Sequence, residues 1–360
     1  MNNSKSNTKI IYQFFFFLSL TSIFFFLACS KSNESKILIR RYVVMGGSIL
    51  EFKLYDNGDK EKKAIKLAYQ KVAEVDAECN IYKPESELSK LNKIAADKPF
   101  KCSPLLWDLL KISQKYYKMT DGSFDISSGP LIKLWGFHRK NKILPSEEKL
   151  SKIKKLIGLD KVIFNDLDKT VKFTVKGIQL DLGGIAKGYA VQLAADELKK
   201  QGITSGIINL AGNAYCFPKP PQDKNFYTVG IRHPLLKETV CGVVNILNQS
   251  IATSGNYERF VVINGHKYTH IMDPASCKPV EDMLSVTVVT PNATDADALS
   301  TSIFIKGASF AEKICEQIPG TAVLIINRDK DSDKVKTVKI VSSIYPKGTT
   351  ADFSDILIED

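Results

Sequence analysis

Histidine is scarce in this sequence, with four among 360 residues, and no two of its seven cysteines stand in a Cys-x-x-Cys pair. Structural zinc sites are built from closely spaced Cys and His, so the spacing argues against one. No segment repeats at a fixed period, and no low-complexity tract occurs beyond the first 30 residues, which sets repeat architectures aside. Charge of one sign is not gathered into blocks either. The net charge of +11 is mostly scattered lysine, and Lys62-Lys63, Lys154-Lys155 and Lys199-Lys200 fall on polar faces of predicted helices. That pattern reads as solvated surface and not as a nucleic-acid interface, while an anionic small ligand stays compatible.

Long hydrophobic runs are absent with one exception. Lys5 and Lys9 precede a charge-free run from Ile10 to Ala28, closed by Phe26-Leu27-Ala28-Cys29-Ser30. This resembles a bacterial lipoprotein signal, residues 1–28, cleaved before Cys29 to leave a palmitate-bearing cysteine at the new N-terminus. An uncleaved membrane anchor is the alternative, since the run is nearly long enough to span a bilayer. Either reading places the body of the protein in the cell envelope, tied to a membrane, most simply the inner membrane facing the periplasm. Loss of Lys5 and Lys9 takes the charge from +11 to +9. Residues 29–40 serve as a polar tether, 41–345 as one domain and 346–360 as a polar tail. Six widely spaced cysteines remain, and their pairing cannot be read from sequence.

Within the domain, strands are expected around Met45-Gly46-Gly47, and a helix over Lys60–Cys79 with Ile65, Ala68, Val72 and Val75 facing inward. A short helix capped by Ser86 follows, and Ser103-Pro104 opens another that runs to Thr120. Short strands are expected at 160–182, 227–232, 240–247 and 250–254. The dipeptide Asn264-Gly265 between apolar runs predicts a hairpin. A strand at 284–290, helices at 295–305 and 308–317, and strands at 322–327 and 335–341 complete the order. Hairpins and helices come in blocks, which predicts an α+β fold with mixed or antiparallel sheets and flanking helices.

The stretch Asp181–Asn213, DLGGIAKGYAVQLAADELKKQGITSGIINLAGN, reads as a βαβ-like segment over 175–210. An apolar run ends at Asp181, Gly183-Gly184 allows a close backbone turn, and a helix follows from about Ile185 to Gln201 with Gly202 at its C-terminal cap. A helix start after a glycine turn presents free N–H groups and a positive dipole end, suited to phosphate. Lys187 in that first turn opposes the dipole, a local rule broken in the manner of functional sites.

Asp297 and Thr301 lie four apart on a predicted helix and so share a face. A carboxylate and a hydroxyl so placed suit a hard cation such as Mg²⁺, although the pair by itself is more often plain helix surface. His270, in His-Ile-Met-Asp-Pro, and the polar turn Ser254-Gly255-Asn256-Tyr257-Glu258 are equally bland singly.

Together and in order, these blocks resemble the ApbE family of FAD:protein FMN transferases. The match is carried by Met45-Gly46, Tyr82 with SELSKLN from Ser86, DGSFDISSGPLIKLWGF from Asp121, DLGGIAKGYA from Asp181, NLAGN from Asn209, Thr253-Ser254-Gly255, HIMDP from His270 and DADALST from Asp295, spanning Tyr42 to Asn327. The resemblance implies an ApbE-like fold and Mg²⁺-dependent transfer of FMN from FAD to a threonine of an acceptor protein in a membrane redox complex, with AMP leaving. It also implies FAD contacts at Met45, Tyr82, Gly122, Ser123, Phe124, Asp181, Lys187 and Met272. Metal contacts are implied at Asp297, Thr301 and the Gly184 backbone oxygen, and a general base at His270. Hydrolysis of FAD to FMN and AMP, or FAD binding without catalysis, are the alternatives. One departure is Cys277, where the family commonly has glycine in a left-handed turn.

Overall fold

The computed structural model describes residues 37–56, 58–137, 144–328, 335–342 and 350–353. The apolar run, Cys29 and most of the tether lie outside the described residues.

An eight-stranded, wholly antiparallel sheet forms the middle layer, in the order β1-β2-β6-β7-β10-β15-β16-β17. Its strands are β1 (Leu38–Val44), β2 (Ser48–Leu54), β6 (Gly206–Leu210), β7 (Asn213–Cys216), β10 (Gln249–Gly255), β15 (Met283–Thr290), β16 (Ala322–Arg328) and β17 (Val335–Val341). β15 and the apolar core of β16 are buried, so their sequences read as continuous apolar runs. Alternate side chains enter different cores. Val323 and Ile325 of β16 join the core that holds the helices, whereas Ala322, Leu324 and Ile326 join a second core on the other face.

The helical layer is built from α1 (Asp59–Cys79), α6 (Ala186–Lys200) and α7 (Ala293–Lys306), with α2 (Glu87–Ile94), α3 (Pro104–Met119) and α8 (Ala308–Gln317) beside them. Two of them start where the sequence supplies a side-chain cap: Ser86 Oγ accepts from Ser89 N at 3.1 Å at the start of α2, and Ser103 Oγ accepts from Leu106 N at the start of α3, with Pro104 next in line. The second core lies beneath a small antiparallel sheet of β8 (Tyr227–Arg232), β9 (Val240–Leu247) and β18 (Thr350–Asp352). Part of the expected polar tail therefore belongs to the fold, with Phe353 buried next to Ala351 in that core.

A third, minor core joins α4 (Gly129–Trp135) and α5 (Glu147–Lys154) to the short hairpin β13 (Met272–Asp273) and β14 (Lys278–Pro279) through Leu131, Trp135, Met272 and Cys277. A three-stranded sheet of β3 (Phe100–Lys101), β5 (Thr170–Phe173) and β4 (Val162–Asn165) flanks the helices. The hairpin of β11 (Phe260–Ile263) and β12 (His266–Thr269) turns at Asn264 and Gly265, both with positive φ, as its sequence demands. All six cysteines of the domain are buried and free.

One expected strand is not formed. Residues 175–182 run without a ladder apart from one bridge, Ser128 with Gln179. Gly177, at φ +105, breaks the extended path, and side chains take the backbone's hydrogen bonds downstream: Leu180 N donates to Asn92 Oδ1 at 2.8 Å and Asn92 Nδ2 returns a bond to Leu180 O. The 175–210 segment is thus extended chain, helix and strand, and β6 pairs antiparallel on both sides.

Candidate active site

The glycine turn holds its shape through Asp181, whose Oδ1 accepts from Gly183 N at 2.8 Å. Gly184 comes next and faces another element. A Cβ there would stand 3.4 Å from the Phe124 ring and 3.6 Å from Thr301 Oγ1, so the bare backbone lies against that hydroxyl. Helix α6 begins two residues later.

Gly188, in its first turn, is where α7 crosses. A Cβ at this position would sit 2.3 Å from Ala293 O and 2.5 Å from Asp297 Cβ, distances no side chain tolerates. The close crossing lets Gly188 N donate to Asp297 Oδ2 at 2.8 Å, while Asp297 Oδ1 faces Lys187 Nζ at 3.5 Å. Lys187 Nζ also lies 3.5 Å from Gly183 O, which accounts for a cation at a helix start: it is held over the turn beside a buried carboxylate, 5% exposed as a residue. Helix α7 is capped by the Asn292 side chain, which accepts from Thr294 N and Asp295 N. One turn beyond Asp297, Thr301 Oγ1 is 3.4 Å from Ser254 Oγ on β10, and Ser254 Oγ pairs with Ser300 Oγ at 2.9 Å.

His270 follows β12. Its Nδ1–H donates to the Arg259 carbonyl at 2.9 Å, and its backbone N–H donates to the same oxygen at 3.1 Å. A carbonyl only accepts, so the proton resides on Nδ1 and Nε2 carries the basic lone pair.

Gly183, Lys187, Ser254, Arg259, His270, Asp297 and Thr301 line one cavity of about 320 Å³ together with Met45, Tyr82, Ser123, Phe124, Asp181, Gly184, Met272 and Asp76. Met45 is in the β1–β2 turn at φ +45, and Tyr82 stands at the mouth, 58% exposed. Burial raises the Tyr82 phenol above its ordinary pKa, with Asp181 adding to the rise and Arg259 opposing it. Among the described residues, Ser123 Oγ, Ser128 Oγ and Asn213 Oδ1, on residues that line the cavity, are buried without a hydrogen-bond partner. Such atoms are costly unless a ligand satisfies them. Among the described residues, no three His, Cys, Asp or Glu side chains gather as a metal-ligand group.

The sequence-derived site residues converge here, with two exceptions. Gly122 does not line the cavity; at φ +79 its N–H donates to Tyr117 O at 2.8 Å, and it shapes the turn that presents Ser123 and Phe124. Cys29 lies outside the described residues. Cys277 adopts the left-handed turn at φ +59 despite its side chain, which is buried with Sγ 3.6 Å from Pro274 O. Sequence reasoning missed Arg259, next to the polar turn it singled out, and the packing role of Gly188 inside DLGGIAKGYA. Neither carries a spacing signal.

An α+β three-layer fold with a cation, a carboxylate and paired hydroxyls at a glycine-turn helix start defines the class: a site whose chemistry suits a phosphorylated ligand. A model of the ApbE family matches residues 46–325, and the chain belongs to that family. The FAD:protein FMN transferase of Escherichia coli (strain K12) is 28% identical over 334 residues, 88% of this chain and 93% of that protein. That of Chlamydia muridarum is 30% identical over 292 residues, 78% and 88% of the two chains. Among solved structures, the ApbE protein of Thermotoga maritima superposes with a TM-score of 0.75 at 26% identity, covering 84% of this chain and 96% of the other. The flavin transferase ApbE of Vibrio cholerae does so with a TM-score of 0.75 at 25% identity, covering 85% and 98%.

Proposed function

We propose that this protein is a FAD:protein FMN transferase that moves the FMN half of FAD to a threonine hydroxyl of an acceptor protein and releases AMP. The observation that carries the reading is the junction of Gly184, Lys187, Asp297 and Thr301 at the start of α6, inside a cavity whose mouth bears Tyr82. Tyr82 and Met45 offer the flavin ring contact surface, and the partnerless Ser123, Ser128 and Asn213 oxygens suit its polar edges or the ribityl hydroxyls. Lys187 meets the pyrophosphate charge, whereas the N–H groups of Gly183, Ile185, Ala186 and Gly188 are already bonded within the protein, so the cation and not the expected row of free N–H groups carries that contact.

The donor set fits Mg²⁺ and not a softer metal, because it consists of one carboxylate, one hydroxyl and the Gly184 carbonyl, with no nitrogen or sulfur among them. Mg²⁺ held by Asp297, Thr301 and Gly184 would neutralise pyrophosphate charge and ease departure of the AMP oxygen. His270 Nε2 takes the proton from the threonine hydroxyl as the threonine Oγ–P bond forms at the FMN phosphorus. The bond from that phosphorus to the bridging oxygen breaks, and AMP leaves with the oxygen and its electron pair. The Arg259 carbonyl keeps His270 in the tautomer this needs.

The protein is lipid-anchored at Cys29 in the bacterial envelope, and its acceptors are threonine-bearing proteins of membrane redox complexes; the apolar run closed by Leu27-Ala28-Cys29 supports this placement. Incubation with FAD, Mg²⁺ and candidate acceptors tests the activity. FMN on the acceptor and equimolar AMP are expected; free FMN at the same rate with and without acceptor favours FAD hydrolysis instead.

A further inference from the structure

Beside the cavity lies a second concavity of about 510 Å³. The two share Ile81, Tyr82, Ile132, Phe137 and Asp181, so one opens into the other around the Tyr82 ring. Two lysines edge the outer groove: Lys93 in the last turn of α2 and Lys133 on α4. Both are exposed, and among the described residues neither ammonium has an ion-pair or hydrogen-bond partner. Ile81, Tyr82, Ile132 and Phe137 give the groove its apolar surface and Ser89, Asn92, Gln179 and Asp181 its polar one, and it meets at Tyr82 and Asp181 the cavity that Arg259 and His270 also line.

Resting on the transferase reading, we propose that this groove seats the segment of the acceptor protein that carries the target threonine, and that Lys93 and Lys133 select segments with acidic residues flanking that threonine. The catalytic chemistry leaves this open, since transfer requires only a hydroxyl near His270. The location follows from continuity. A macromolecular substrate has to approach through the cavity's mouth, and the groove joins the cavity there, at Tyr82 and Asp181. The selectivity follows from charge. Two partnerless ammonium groups at the groove's edge, against the one Asp181 carboxylate of its lining, attract carboxylates and repel cations, which tunes recognition more than tightness. An extended segment brings its alternate side chains down onto the apolar surface and leaves the others to meet the lysines.

The test uses the full-length protein in detergent, FAD and Mg²⁺, with synthetic peptides that hold one threonine flanked by Asp, by Asn or by Lys. The comparison variant is the double substitution Lys93→Glu and Lys133→Glu. The wild-type protein is expected to flavinylate the Asp-flanked peptide about tenfold more efficiently than the Lys-flanked one, a preference that shrinks as salt rises. The double variant is expected to invert that order, with FAD affinity, read by flavin fluorescence quenching, unchanged. Loss of FAD affinity in the variant would overturn the inference and assign the groove to the dinucleotide. So would a wild-type protein that shows no flanking preference, or one that releases AMP from FAD yet labels none of the peptides. A wild-type protein that neither releases AMP nor labels any acceptor sinks the transferase reading itself, and is distinct from these failures of the groove alone.

Discussion

Gly188 and Asp297 are locked together twice: the glycine N–H donates to Asp297 Oδ2 at 2.8 Å, and the two backbones press so close that a Cβ on residue 188 would stand 2.5 Å from Asp297 Cβ. One carboxylate oxygen is thereby fixed to the start of α6, which leaves Oδ1 toward Lys187 and the glycine turn. Gly188→Ala should force α7 away from α6. A loss of about 1–3 kcal/mol in urea unfolding is expected for such overpacking, with a matching fall in turnover. Unchanged stability would show that the crossing is loose.

Asp297→Ala removes the one carboxylate in the proposed Mg²⁺ donor set. Metal-dependent release of AMP should vanish, and the wild-type enzyme should lose activity in EDTA and regain it with added Mg²⁺. Turnover in the variant that still responds to Mg²⁺ would place the metal elsewhere.

His270→Ala is expected to slow FMN transfer by about 10²–10⁴-fold, the usual contribution of a positioned base, with FAD affinity little changed. Tyr82→Ala should do the reverse and weaken FAD by about 0.5–1.5 kcal/mol through lost stacking while the bound flavin still reacts. Fluorescence titration alongside single-turnover rates separates the two; equal loss of affinity in both variants contradicts this division of roles.

Asp76 gives a pH dependence with a definite sign. Burial alone would raise its pKa, but hydrogen bonds from Lys83 at 2.7 Å and Asn80 at 2.8 Å outweigh that and hold the carboxyl below its ordinary value. A depressed folded-state pKa contributes stability above the unfolded value, near 3.9, and loses it as pH falls through the folded value. Asp76→Asn should therefore cost about 1–2 kcal/mol at pH 7, and the gap to wild type should close below about pH 4. A gap that widens in acid would refute the assignment.

The proposed lipid anchor is tested at Cys29. Cys29→Ala should abolish incorporation of labelled palmitate and prevent lipoprotein processing, whereas palmitate labelling that persists in the variant contradicts lipidation at that residue.

Much of this arrangement was legible from the sequence because the signals were local. Ser103-Pro104 and Asn264-Gly265 each determine a start or a turn within a few residues, and both stand where expected. Asp297 and Thr301 share a face by helical periodicity alone. The failures are non-local. Residues 175–182 have the apolar content of a strand, but Asn92, 88 positions away, supplies the hydrogen bonds a neighbouring strand would have given. Phe353 looked like tail because its core is assembled by β8 and β9. Arg259 acts on His270 through its backbone carbonyl, a role that leaves no trace in residue type.

The central claim is transfer of FMN to protein, and intact-mass spectrometry of an acceptor protein incubated with this enzyme, FAD and Mg²⁺ tests it most directly. The expected result is a gain of one FMN on a single threonine, with one AMP released per acceptor and neither product formed by Asp297→Ala. An acceptor that stays unmodified while FAD is cleaved to free FMN and AMP would contradict it.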